Sequence, residues 1–255
     1  MTNDRSIWGA SLLAVGIASL LPLLATWWLA TRPAMTTALL PRLILVASGA
    51  LVGAACFHLI PDALVAGSAL HVGGLVVLGV LSLAALERVI HSLERPSAAE
   101  RPHAAHGHAG HLMPLGIASD ALHNTIDGAL IATAFVANPS LGMFAGAAIA
   151  LHELPRELGT FALCVEAGMS PKRAILVNAG TGVLALLGAS LALLVGTGAQ
   201  RFGVMLVPFA AGNFLYLAGA ILVAQRGRAW VGDGRLRAWY VVAGIAVTAL
   251  LAGRH

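Results

Sequence analysis

The chain alternates between long apolar runs and short segments of polar and charged residues. Each run is close to the length of about 20 residues that an α-helix needs to cross the hydrocarbon core of a bilayer. We predict eight transmembrane helices, at residues 7–30, 38–60, 70–92, 112–136, 141–166, 172–196, 203–225 and 236–252. The first run is too long for a signal peptide and lacks a clean cleavage site, so we assign it as a span. The predicted fold class is therefore all-α, a polytopic membrane protein with a single transmembrane domain over residues 1–255.

The composition supports a membrane protein and excludes a water-soluble domain. Only 10% of the 255 residues are charged and 58% are hydrophobic, and the mean hydropathy is +0.86. The formal net charge of +4 arises from Lys and Arg in loops, so it does not predict a nucleic-acid partner. Cys56 and Cys164 both lie in apolar runs, which argues against a disulfide framework or a cysteine zinc site.

The basic residues are distributed unequally between the two sides of the membrane. The loops after spans 1, 3, 5 and 7 hold Arg32, Arg42, Arg88, Arg95, Arg101, Lys172, Arg173, Arg226, Arg228, Arg235 and Arg237. The opposite side holds Arg5, Arg201 and Arg254. Because cytoplasmic loops are enriched in Lys and Arg, both termini are predicted to be extracytoplasmic, in the inner (plasma) membrane.

Two neighbouring predicted spans contain polar residues at membrane depth. The first group is Asp120, His123, Asn124 and Asp127 in span 4, and the second is His152, Glu153, Arg156 and Glu157 in span 5. The four residues of span 4 follow helical spacing and share one face. Within span 5, Pro155 leaves the carbonyl of Leu151 without its helical donor, a device that transporters use around ions.

These side-chain types indicate a binding site for a divalent transition metal. Ionisable groups are costly inside a membrane and usually mark an ion or substrate pathway. Imidazole favours a transition metal over Ca²⁺ or Mg²⁺. The predicted metal ligands are His123, Asn124, Asp127, His152 and Glu153. Residues predicted to support the site or line the pathway are Asp120, Arg156, Glu157, His58 and Asp62.

Two further segments carry candidate metal-binding residues. His58 and Asp62 flank Pro61 at the end of span 2, where they form either a vestibule or an ordinary interfacial helix terminus. The loop at about 93–111 is predicted to be cytoplasmic and flexible, and it is either a metal-capture segment or a compositionally biased linker. Its candidate capture residues are His103, His106, His108 and His111.

One enzymatic interpretation follows from the start of the second polar group. His152-Glu153 begins like the H-E-x-x-H helix of zinc metalloproteases. Arg156 stands where that helix has its second His, and a guanidinium cannot ligate a cation. We therefore predict that the protein is not an enzyme.

The two polar groups together resemble the motifs of the ZIP (Zrt/Irt-like protein) family of divalent metal transporters, of bacterial type. His123, Asn124, Asp127 and Gly128 match the motif H-N-x-x-[DE]-G of its fourth span. His152, Glu153, Pro155, Glu157 and Gly159 match H-E-x-P-H-E-x-G of its fifth span. The resemblance extends to residues 58–62, to the His-rich loop and to residues 208–216 in span 7.

The resemblance implies a ZIP-like bundle of eight helices, extracytoplasmic termini, a homodimer in the lipid bilayer and alternating access by one helix bundle sliding against another. It also implies uptake of Zn²⁺ as the transported substrate, with Fe²⁺, Mn²⁺, Co²⁺ and Cd²⁺ as further candidates. Two other interpretations remain open, a metal exporter and a membrane metal sensor or scaffold that binds without transport.

Arg156 is the main departure from the pattern that the resemblance implies. Many family members have a His at this position, where it contributes to a centre with two metal ions. The guanidinium is permanently charged and has no lone pair to donate. We hypothesise that Arg156 replaces one cation, that it pairs with Asp127, Glu153 or Glu157, and that a single metal is bound. The family motif also continues with Asp where this chain has Thr160.

Overall fold

The computed structural model describes residues 2–93, 107–196, 199–225 and 234–252. In these ranges almost every residue is helical and no strand occurs. The helices are α1 (Thr2–Ala30), α2 (Pro33–Ala54), α3 (Ile60–Ala66), α4 (Ala69–Leu93), α5 (Gly107–Ala137), α6 (Pro139–Glu166), α7 (Pro171–Val195), α8 (Ala199–Ala224) and α9 (Gly234–Ala252). A π-helical turn, Ala55–Leu59, joins α2 to α3 without a break.

The prediction of an all-α membrane protein with eight spans is confirmed. The nine α-helices of the described ranges correspond to eight spans, because α2, the π-helical turn and α3 form one continuous span. Within the described ranges, five segments are long and apolar enough to cross a membrane: Ser6–Ala30, Ala38–Ala66, Ala69–Ile90, Pro171–Val195 and Met205–Ala224. Of the remaining long helices, α5 and α6 carry the two polar groups. Helix α5 begins at Gly107, within the range of about 93–111 that the sequence predicted as a loop.

Proline and glycine define several of the helix ends. Pro33, Pro139 and Pro171 begin α2, α6 and α7, where a residue without an N–H loses no helical hydrogen bond. After α6 ends, Gly168 adopts a φ of +92°, and the N–H of Met169 reaches back to the carbonyl of Cys164 at 3.0 Å. This is the hydrogen bond that closes a Schellman motif, so the polypeptide turns sharply into the next span.

Three pairs of helices approach so closely that their backbones touch. The pairs are α2 with α9 at Gly49 and Gly244, α4 with α8 at Gly79 and Gly212, and α5 with α7 at Gly128 and Gly188. A Cβ at any of these glycines would collide with backbone atoms of the partner helix. Without a hydrophobic driving force inside lipid, such close contact of small residues is a main source of helix association.

The largest apolar cluster of the described residues packs side chains of α5 and α6 against α2, α4 and α8. Ile44 from α2, Leu115 from α5 and Phe214 from α8 are all almost fully buried in it. Helices α5 and α6 also pack against each other, and α6 packs against α1 and α2. The described side chains of both polar groups therefore lie inside the protein and not on its lipid-facing surface.

Candidate metal centre

The polar faces of α5 and α6 meet in the interior, as the sequence predicted. Each described polar side chain of the two groups is at most 5% exposed: Asp120, His123, Asn124 and Asp127 on α5, and Glu153, Arg156 and Glu157 on α6. Burial of so many ionisable groups is unfavourable unless they pair with one another or hold an ion. The arrangement of these side chains therefore indicates whether they pair with one another or hold an ion.

Three of these residues form a compact set of metal-ligand atoms. His123, Asp127 and Glu153 each offer one ligand atom, and the three atoms lie within 4.8 Å of one another. The Nε2 of His123 is 3.3 Å from Oδ2 of Asp127, one helical turn away, and 3.7 Å from Oε1 of Glu153 on α6. We call these residues the triad. One imidazole and two carboxylates at this spacing suit a divalent transition metal.

Arg156 lies beside the triad and pairs with carboxylates of both helices. Its guanidinium forms ion pairs with Asp120 and Glu153, and its Nη2 is 3.5 Å from Oε1 of Glu157. Its Nε also donates to Oε1 of Glu153 at 3.0 Å. The partners Glu153 and Glu157 agree with the sequence hypothesis, which did not anticipate Asp120. The hypothesis named Asp127 as the candidate partner on α5, whereas the ion pair of Arg156 with that helix is formed with Asp120.

Glu153 connects the triad to Arg156. The same oxygen, Oε1, faces the imidazole of His123 and accepts from the guanidinium. A cation that approaches His123 therefore meets a carboxylate whose negative charge Arg156 already balances in part.

Asn124 is oriented by the carboxylates that surround Arg156. Its amide nitrogen donates to Oε1 of Glu157 at 3.1 Å and to the main-chain carbonyl of Asp120 at 3.2 Å. The predicted role of Asn124 as a metal ligand would use the other atom of the amide, its oxygen. That role stays a prediction.

Three contacts of the site were not predicted from the sequence. The ring of Phe214 on α8 packs against the imidazole of His123, with ring centroids 4.4 Å apart. The hydroxyl of Thr160 is 3.4 Å from Oδ1 of Asp120, and Asn178 on α7 donates to the main-chain carbonyl of Glu157 at 3.0 Å. Phe214 lies in the segment 208–216 that carried part of the family resemblance, which was its only signal.

Several predicted residues lie partly or wholly outside the described residues. His103 and His106 are in the range 94–106, which the structure does not describe. The backbones of His108, His111 and His152 are helical, but their side chains are outside the description. Their predicted roles in metal capture and metal binding therefore stay predictions.

His58 and Asp62 lie together at the other predicted site, where the π-helical turn meets α3. The Nδ1 of His58 is 3.2 Å from Oδ2 of Asp62, with the two side chains 26% and 62% exposed. A π-helical turn changes the direction of side chains and often occurs at functional positions. This pair is accessible, in contrast to the triad.

A cavity lies next to the triad, bounded by α2, α5, α6 and α8. Its polar wall comes from α5 and α6 and includes Asp120, Arg156 and Thr160. Its apolar wall comes from α2 and α8 and includes Leu217 and Ile221. On α5 the lining residues precede His123, so the cavity extends towards the amino-terminal end of that helix.

Fold and site together define a polytopic membrane protein with a buried cluster of side chains that could hold a cation in its core. The sequence model of the ZIP zinc transporter family matches residues 112–252, which is α5 from Leu112 onward and all later helices. The chain belongs to the ZIP family. That family consists of transporters and not of enzymes, in agreement with the prediction that the protein is not an enzyme.

Curated relatives are zinc transporters by name. Zinc transporter YKE4 of Saccharomyces cerevisiae is 27% identical over 252 residues, which cover 86% of this chain and 72% of the relative. Zinc transporter ZIP6 of Pongo abelii is 40% identical over 109 residues, and zinc transporter ZIP4 of Mus musculus is 41% identical over 108. The chain spans only 15% and 16% of those two relatives. The more specific prediction of a bacterial type stays a prediction.

Proposed function

We propose that the chain is a single transmembrane transporter domain that takes up Zn²⁺, with the ion held by the triad. The observation that carries this proposal is the convergence of His123, Asp127 and Glu153 from two helices in the protein interior, with ligand atoms within 4.8 Å of one another. His152 and the amide oxygen of Asn124 complete the proposed ligand set. The printed names of the relatives support Zn²⁺ as the substrate. Fe²⁺, Mn²⁺, Co²⁺ and Cd²⁺ are further candidates.

In the proposed pathway the triad lies between two regions. His58 and Asp62 are on one side of it, and the cavity is on the other. The cavity reaches α2 at Ile44 and Leu51, whereas His58 and Asp62 follow towards the opposite end of the same span. Metal would lose water at the triad and leave through the cavity towards the His-rich loop, which would act in capture. Alternating access by sliding helix bundles is supported by the backbone contacts that bind α2 to α9, α4 to α8 and α5 to α7.

The proposed setting is the inner (plasma) membrane, with both termini extracytoplasmic and two copies forming a homodimer. The concentration of Lys and Arg in the loops after spans 1, 3, 5 and 7 supports this orientation. The homodimer rests on the family resemblance.

We further propose that one metal ion is bound per chain, because Arg156 takes the place of a second. Two unit charges about 4 Å apart interact by roughly 4 kcal/mol at an effective dielectric constant of about 20. Two divalent ions at that distance would repel each other by about four times this energy, whereas a divalent ion and a guanidinium repel by about twice. The contacts of Arg156 with Asp120, Glu153 and Glu157 support this role.

Flux of Zn²⁺ into proteoliposomes tests the proposed function. The variant His123→Ala removes the only imidazole of the triad and should abolish saturable uptake. His71→Ala, which removes an exposed imidazole at the start of α4, is the matched control and should retain uptake. Equal uptake by both variants would refute the central site. Binding without flux would instead favour a sensor or scaffold, and net efflux against the expected direction would favour an exporter.

A further inference from the structure

A boundary of side chains that includes Phe214 separates the triad from the cavity. Among the described residues, the side chains of the triad are not part of the cavity wall. Two side chains of that wall do contact the triad. Phe214 packs on the imidazole of His123, and Arg156 pairs with Glu153. These two side chains therefore lie at the boundary between the ligand atoms and the cavity.

We propose that Phe214 is a gate, which closes the triad towards the cavity and sets the rate at which the ion passes between them. This inference rests on the proposed function, because it concerns the movement of the ion held at the triad. A hydrated or partly dehydrated cation crosses an apolar constriction slowly, because the constriction excludes the water that would solvate it. Arg156, the other side chain of this boundary, is charged and disfavours a passing cation electrostatically.

The position of Phe214 in the fold makes it suitable for this role. Its side chain is 1% exposed, and it belongs to α8, whereas the triad belongs to α5 and α6. Helix α8 is joined through backbone contact to α4, and α5 is joined in the same way to α7. A displacement of α8 relative to α5 would separate the two rings and open the boundary without altering the ligands themselves.

A gate has a kinetic signature that differs from that of a ligand or of a residue that positions a ligand. It contributes to the barrier between bound and free ion and not to the energy of either state. Removing it should accelerate association and dissociation by the same factor and leave the dissociation constant unchanged. A residue that positions His123 would instead change the dissociation constant, mainly through the dissociation rate.

The test measures Zn²⁺ binding to the purified full-length protein by stopped-flow mixing with a fluorescent zinc chelator. For Phe214→Ala we expect both rate constants to rise by about tenfold, while the dissociation constant stays within about threefold of the parent. Phe214→Leu keeps most of the buried volume and should show a smaller rise of the same kind. If Phe214→Ala does not fold, Phe214→Leu provides the test by itself. The matched control is Phe161→Leu, another fully buried phenylalanine, which packs near Leu29 and Ala174 away from the triad.

The outcomes separate this inference from the proposed function. Unchanged rate constants in both Phe214 variants would overturn the gate. A larger dissociation constant that arises from faster dissociation alone would also overturn it. An equal effect of Phe161→Leu would also overturn it, because the change would then reflect general loosening. If the parent protein binds Zn²⁺ without transporting it, the proposed transport is refuted, whereas the rate constants of binding still test the gate. Parent protein that binds no Zn²⁺ would refute both.

Discussion

The role of Arg156 gives the sharpest prediction, because one substitution changes the charge, the ligand set and the stability of the site together. In Arg156→His the permanent cation is replaced by a group that can bind metal. We expect bound Zn²⁺ to rise from one ion per chain in the parent to two in this variant. In Arg156→Gln, which supplies neither the charge nor an imidazole, we expect no second ion as tightly held as in the His variant.

The contacts of the guanidinium determine how large the effect on stability should be. Arg156 is 5% exposed and is paired with Asp120, Glu153 and Glu157. Removing one partner of a buried ion pair typically costs about 3–5 kcal/mol, because the remaining charge stays buried without compensation. For a chain of this length that corresponds to a fall in melting temperature of roughly 6–20 °C in the absence of metal. Bound Zn²⁺ should recover part of this loss, since it stabilises the folded state by mass action.

Equilibrium dialysis with metal analysis measures the stoichiometry, and thermal unfolding in detergent with and without Zn²⁺ measures the stability. The control is Arg42→Gln, an exposed arginine whose Nη1 donates to the carbonyl of Ala38 in its own helix. Its effect should be within about 0.5 kcal/mol. Two tightly bound ions in the parent would refute the idea that Arg156 replaces a cation. Unchanged stability of metal-free Arg156→Gln would refute the assigned ion pairs.

Two other predictions concern helix packing and the His-rich loop. Gly188→Ala should strongly reduce the amount of folded protein, because its Cβ would collide with the main chain of Thr125. The control is Gly180→Ala on the same helix, where a Cβ has no neighbour within 4 Å and the change should be neutral or stabilising. Size-exclusion chromatography of both variants measures the amount of folded protein. Deletion of residues 103–106 should lower the apparent affinity for Zn²⁺ in flux assays by a small factor and leave the maximal rate nearly unchanged; complete loss of uptake by folded protein would contradict a role limited to capture.

The amino-acid sequence by itself determined the spans and the chemistry of the site. Runs of apolar residues must be helical to cross a bilayer, because every backbone N–H and C=O needs a partner inside the helix. The number of spans and the polar face of α5 therefore follow from local pattern. The helical spacing of Asp120, His123 and Asp127 placed them on one face, and their buried position agrees with that spacing.

Only the tertiary structure decided which groups from different helices meet. Glu153 of α6 joins Asp127 beside His123, Arg156 reaches Asp120 on α5, and Phe214 comes from α8 to pack on the imidazole. These contacts depend on how helices cross and rotate, which is set by the close backbone approaches at glycines such as Gly128. Periodicity along one helix carries no information on the rotation of its neighbour. For that reason the sequence predicted the ligand types and a candidate partner of Arg156 on α5, whereas the actual ion pair with Asp120 and the contact of Phe214 with His123 required the packed structure.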